Sequence, residues 1–147
     1  MQAERDRVPV DPALFVDETD PPRLRGGECA DCATVTFPFQ DTCPRCCGER
    51  ITERALGTRG RLWTWTIQAF APKLPYRGPR TPDAFRPYGV GYVELPGEVR
   101  VEAPLTVADP ERLRIGMEMD LAFIPLTRDE AGREVFTFAF APSGVQP

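Results

Sequence analysis

The chain has 147 residues, with 18 Lys plus Arg against 22 Asp plus Glu, five Cys and no His. The absence of imidazole excludes a Ser-His-Asp or Cys-His arrangement within the chain and every metal site that needs a histidine. The net charge of −4 argues against a surface built mainly to neutralise a nucleic-acid backbone, and with Ser143 the one Ser, Lys73 the one Lys and no Asn, few groups remain for catalysis by this chain alone.

No stretch approaches the roughly 20 apolar residues of a membrane span, and the start Met1-Gln2-Ala3-Glu4-Arg5-Asp6 lacks an apolar signal core, so a cytoplasmic, membrane-free protein is expected. Residues 1–26 read as an arm interrupted by Pro9, Pro12, Pro21 and Pro22. Within it Asp11 before Pro12 is a cap followed by proline at the first helical position, which predicts one or two helical turns to about Glu18. Leu14 and Phe15 would lie against the domain or a partner, the alternative being a frayed terminus.

Residues 27–52 hold all five cysteines. Cys29-Ala30-Asp31-Cys32 and, ten residues on, Cys43-Pro44-Arg45-Cys46 are two C-x-x-C knuckles at zinc-ribbon spacing. Each knuckle sets two thiolates on one tight turn, and a hairpin between them brings four sulfurs around one structural zinc. Four protein ligands leave no open position for catalysis. Iron in the same cage is the alternative from ligand type alone. A thioredoxin-like redox pair is disfavoured, because it needs one C-x-x-C opening a helix. Ala33 and Cys47 stand where glycine would ease a positive backbone angle. Cys47, the odd thiol, is expected as a small buried filler rather than a fifth ligand or sensor.

Residues 53–147 read as a barrel. In Arg61-Leu62-Trp63-Thr64-Trp65-Thr66-Ile67, period two puts Trp63, Trp65 and Ile67 on one face of a strand. Residues 88–95 and 98–106 form a hairpin about Pro96-Gly97, the order a type II turn wants. Met117, Met119, Leu121 and Phe123 mark a fourth strand; Phe136, Phe138 and Phe140 mark a fifth. Asp109-Pro110 through Gly116 reads as one short helix between the third and fourth. Five strands with that helix are the element order of the OB-fold, a Greek-key barrel; another small barrel or an open sheet fits the same pattern. The expected fold is therefore mainly β: a short helix, a zinc ribbon, then a five-stranded barrel. Residues 71–87 form a proline-rich loop after the first barrel strand, carrying Lys73, Arg77, Arg80 and Arg86.

With the knuckles, Thr58-Arg59-Gly60-Arg61-Leu62-Trp63-Thr64-Trp65-Thr66, Pro87-Tyr88-Gly89-Val90-Gly91-Tyr92-Val93-Glu94-Leu95 and Leu113-Arg114-Ile115-Gly116-Met117 in this order, the chain resembles the OB-fold proteins with an N-terminal rubredoxin-like zinc ribbon, long catalogued as a domain of unknown function. The likeness runs from about Ala13 to Phe140. It implies the same architecture and a partner: such proteins accompany thiolase-like and other acyl-CoA enzymes as small subunits or fused domains. The departures are the missing knuckle glycines and the long loop. That loop suggests the steroid side-chain branch, in which such a domain supports a thiolase-like aldolase that cleaves a β-hydroxyacyl-CoA. The sequence itself shows no substrate.

The expected function is a non-catalytic accessory subunit of a thiolase or retro-aldolase. Lys73, Arg77, Arg80 and Arg86 would face CoA phosphates or a partner's acidic residues, unless they are only a solvated loop. Trp63 and Trp65, with Tyr92, are either barrel core or a docking surface. The alternative is a single-stranded nucleic-acid binder using strand aromatics as stacking platforms and the loop as a basic rim, which the acidic ribbon disfavours. For a third reading, an enzyme, Cys47 or the pair Glu118 and Asp120 would be candidates; the two carboxylates are expected solvated on one strand face.

Overall fold

The computed structural model describes residues 6–144. Among these, strands β1 (Arg7–Pro9), β2 (Arg25–Cys29), β3 (Val35–Thr36), β4 (Ile51–Ala55), β5 (Arg59–Gln68), β6 (Tyr88–Glu94), β7 (Arg100–Leu105), β8 (Glu118–Arg128) and β9 (Glu134–Pro142) form two sheets. β5, β6 and β7 make an antiparallel meander; Leu105 then pairs in parallel with Phe140 of β9, β9 runs antiparallel to β8, and β8 returns to β5 at Arg59↔Asp120. The cycle β5-β6-β7-β9-β8-β5 closes a five-stranded barrel, the OB-fold. Its interior is filled by Leu62, Val93, Leu95, Val101, Met119 and Phe140, all essentially inaccessible to solvent.

The hairpin turn is the expected one. Glu98 donates its N–H to the Leu95 carbonyl at 3.0 Å, and Gly97 takes a φ of +69°, which a side chain would disfavour. Alternation fails in β5. The register against β6 slips between Leu62 and Thr64, so Gly60 and Leu62 point inward before the bulge, and Trp65 and Ile67 turn toward the core after it. Trp63 is therefore on the outside, 47% exposed, and not on one face with Trp65. The helix expected over 109–116 is one 3-10 turn, Pro110–Arg112, capped by Asp109, which accepts the Glu111 N–H at 2.9 Å. Leu113 is already extended, and Gly116 at φ +88° turns the chain into β8.

The N-terminal helix is likewise shorter than expected. Asp11 caps and Pro12 leads as predicted, but the turn ends at Leu14. Phe15 leaves in extended conformation, bridges to Leu24, and is buried beside Phe123, Phe136 and Phe138 with ring centroids 5.8 to 6.5 Å away. β1, a three-residue strand, lies parallel to β9 along Glu134–Phe136. Aromatic burial of this kind holds the arm on the barrel.

The second sheet, β3-β2-β4, carries the knuckles. It is tied to the barrel by one buried carboxylate. Glu98, beside the β6–β7 turn and with its side chain only 8% exposed, accepts the Gly57 N–H at 2.7 Å and Arg54 Nε at 2.8 Å; Arg54 also reaches Glu28 at 3.0 Å. Glu98→Ala removes both acceptors and should cost about 2 kcal/mol, from lost charge-assisted hydrogen bonds and an orphaned amide. The measurement is a urea melt. An unchanged midpoint would show the clamp to be idle.

Candidate metal centre and docking surface

The two knuckles are built alike. Ala33 donates its N–H to the Cys29 carbonyl at 2.8 Å, and Cys47 donates to that of Cys43 at 2.9 Å; both residues stand at φ +62°. The glycine-like positions seen in the sequence are thus left-handed in fact. Each Cβ there works against the turn by about 1 kcal/mol. Cys29 Sγ lies 3.6 Å from Cys46 Sγ and Cys32 Sγ lies 3.6 Å from Cys43 Sγ, with all four sulfurs within 4.8 Å of one another.

A tetrahedron with Zn–S bonds of about 2.3 Å has sulfur-sulfur edges of about 3.8 Å, so the donor set fits one metal ion. Electrostatics says the same. The Thr34 hydroxyl and amide beside Cys32 draw its thiol down to about 6, and the Cys46 amide lowers Cys43. Cys46 is helped by the Gly48 amide, yet the crowding of Cys32, Cys29 and Cys43 outweighs that and pushes it up to about 12. Four negative sulfurs in this space need a cation among them. When bound, zinc supplies a closed, structural crosslink. Asp31, paired to Arg50 across the site, and Arg25, stacked on Phe39 at 4.1 Å, stiffen the surrounding turns.

Cys47 is exposed and outside the four-sulfur group, contrary to the buried filler expected. Its left-handed backbone points the side chain away from the knuckle it closes.

The loop residues do not converge on one point. Arg80 Nε bonds to the Pro72 carbonyl at 3.2 Å, Arg86 caps the carbonyls of Asp83 and Phe85 at 2.9 Å, and Lys73 and Arg77 stand exposed with them. Elsewhere in the barrel Arg59 is matched with Asp120 at 2.7 Å and Arg100 with Glu94 at 2.7 Å. Among the described residues, ion pairs include none of the four loop cations. Phe70 and Leu74 project beside them, 80% and 75% exposed. Beneath the loop a small apolar cleft is lined by Tyr76, Pro79, Tyr88, Leu105 and Ile124, and Tyr76 and Tyr88 are stacked at 6.3 Å.

Trp63 belongs to a separate cluster on the outer face. Arg100 lies 4.0 Å over its ring, Tyr92 meets it edge-on at 6.1 Å, and Tyr92 donates its hydroxyl hydrogen to Glu102 at 3.0 Å. Trp65 packs against the core instead. Of the carboxylate pair, Asp120 is held below its usual range by Arg59, while Glu118 is exposed. The sequence pattern missed the arginine over Trp63, because the two are on different strands and only the bulge brings the indole outward.

A ribbon of four sulfurs followed by an OB barrel defines the class of the protein. Family models described as the ChsH2 rubredoxin-like zinc ribbon domain and the ChsH2 C-terminal OB-fold domain match residues 17–53 and 53–123. The chain is 30% identical over 122 residues to a DUF35 domain-containing scaffold protein of Pyrococcus furiosus, spanning 82% of this chain and 83% of that one, and it belongs to that family. It is also 29% identical over 119 residues to the benzoylsuccinyl-CoA thiolase subunit BbsA of Thauera aromatica, spanning 81% and 76% of the two chains. A solved chain of the Ltp2-ChsH2(DUF35) aldolase shares the fold, with a TM-score of 0.61 and 24% identity over 92% of this chain and 97% of that one. No helix among the described residues is long and apolar enough to cross a membrane.

Proposed function

We propose that this chain is a non-catalytic accessory subunit that binds and supports a thiolase-superfamily acyl-CoA enzyme, a thiolase or a retro-aldolase. The observation that carries the reading is similarity over about four-fifths of the chain both to family scaffold proteins and to a protein named as a thiolase subunit. The residues agree with it. Metal chemistry is closed off by four thiolates, histidine is absent, and the loop carries exposed cations beside exposed Phe70 and Leu74.

In this reading Cys29, Cys32, Cys43 and Cys46 hold one zinc that shapes the ribbon. Lys73, Arg77, Arg80 and Arg86 meet phosphates of a CoA thioester entering the enzyme, or acidic residues around its entrance. The exposed Phe70 and Leu74 add apolar contact to the same loop. Trp63, already ordered by Arg100 and Tyr92, supplies an aromatic anchor of the kind found at interface centres, while Trp65 packs against the core behind the sheet. A cytosolic site of action and a steroid side-chain acyl-CoA as the substrate belong to the same proposal.

Co-expression with a thiolase-like enzyme of the same organism should yield a complex that survives size exclusion. Reversing charge at Lys73, Arg77, Arg80 and Arg86 together should weaken that complex or raise the KM for the CoA thioester at least tenfold. An enzyme that is monodisperse and fully active without this chain would overturn the accessory role.

A further inference from the structure

One seam of the barrel is closed by a single bridge. On its outer side β7 meets β9 only at Leu105↔Phe140, because the lower half of β9 pairs with β1. The hairpin register then decides which main-chain groups face the gap. Leu95 donates its N–H to Val99 at 3.0 Å, so the hydrogen-bonded pairs of this hairpin are Val93↔Val101 and Gly91↔Ala103. The main-chain N–H and C=O groups of Arg100 and Glu102 consequently point away from β6 and into the gap, whereas Pro104 has no N–H and its carbonyl lies in the bridge to Phe140. Among the described residues, backbone hydrogen bonds beyond the strand ladders include none from Arg100 or Glu102.

This edge borders a groove of about 740 Å³. Leu14 of the arm and Phe37 and Pro38 of the ribbon form the far wall, Phe138 lines it from β9, and Tyr88 and Tyr92 lie on the barrel side. Among the described residues, its only charged lining side chains are Arg100 and Glu102. Arg100 is neutralised by Glu94 at 2.7 Å, so the Glu102 carboxylate, which accepts only the Tyr92 hydroxyl, is the charge presented to an occupant. Such a wall repels a polyanion and favours a cation.

We propose that the open β7 edge receives an extended peptide segment of a protein partner by strand addition, with a Lys or Arg of that segment set against Glu102. Arg100 and Glu102 each offer an outward N–H and C=O, and two steps at about 3.3 Å per residue match a paired segment of about three residues. Side chains on one side of the added strand would rest on Leu14, Phe37 and Phe138, and those on the other would meet solvent. Pro104 lacks an N–H at the end of this edge, which limits pairing to a short stretch and guards against open-ended association.

The test is selection of a displayed dodecapeptide library on the zinc-loaded chain, followed by anisotropy titrations with the enriched peptides. Binders should alternate apolar residues with at least one Lys or Arg, and should slow amide exchange at Arg100 and Glu102 at least tenfold. Glu102→Pro, which removes the outward N–H together with the carboxylate, should abolish binding altogether. Glu102→Lys, which leaves the backbone intact, should weaken it at least tenfold; zinc content and melting temperature verify that each variant is folded. No enrichment, peptides that bind both variants as they bind the parent, or displacement of the peptides by oligothymidylate would overturn the proposal. No thiolase-like enzyme enters the test, so its outcome is read separately from that of the accessory-subunit reading.

Discussion

Cys29→Ser is expected to purify without stoichiometric metal and with the ribbon unfolded. Cys29 ends β2, is 2% exposed, and is paired through its backbone with Ile51 of β4. Removing its sulfur leaves three donors for the ion and breaks the site at the point where it enters the sheet. Sites of this kind contribute roughly 10 kcal/mol or more to folding, far above what β2, β3 and β4 gain from their few apolar contacts. Amides over residues 25–55 should therefore lose protection against exchange, whereas the β5 to β9 barrel, whose ladder is independent of the sulfurs, should keep a cooperative melt. Metal analysis gives the deciding number: one tightly held zinc per chain in the variant would refute the assignment of the four cysteines.

Phe15→Ala should cost about 3–5 kcal/mol, as for other buried aromatic truncations. Phe15 touches three phenylalanines of β8 and β9, and among the described residues it is the only buried side chain of the arm ahead of Leu24. A cavity there loosens both the arm and the wall that Leu14 gives to the groove. Thermal denaturation followed by Trp fluorescence tests this; a shift of less than 2 °C would mean that the arm is a passive appendage.

Much of this was legible because short-range chemistry dictated it. Two C-x-x-C turns, a Pro-Gly hairpin and Asp-Pro caps are local signals, and each produced the structure its residues favour. The errors came from distance. Period two in β5 could not register a bulge, because whether Trp63 or Leu62 faces inward depends on how β5 meets β6 and β8, not on the strand itself. A capped proline starts a helix, but length comes from an apolar stripe to bury. After Pro12 and Pro110 the next apolar groups, Phe15 and Leu113, are buried in extended conformation instead, so each helix stopped at one turn. The Arg54–Glu98 clamp and the Arg100–Trp63 stack join residues more than 35 apart in sequence, beyond any local pattern.

The exposed loop over 69–87 has one more consequence. Lys73, exposed in this loop, is the only side-chain amine in the chain, and every other side-chain cation is a guanidinium, which amine-directed reagents leave untouched. An amine-reactive crosslinker or a biotin ester therefore labels one internal position. That position moves from open to shielded when the loop is covered, so a single modification yield, followed by mass spectrometry, reports occupancy of this surface without any mutation.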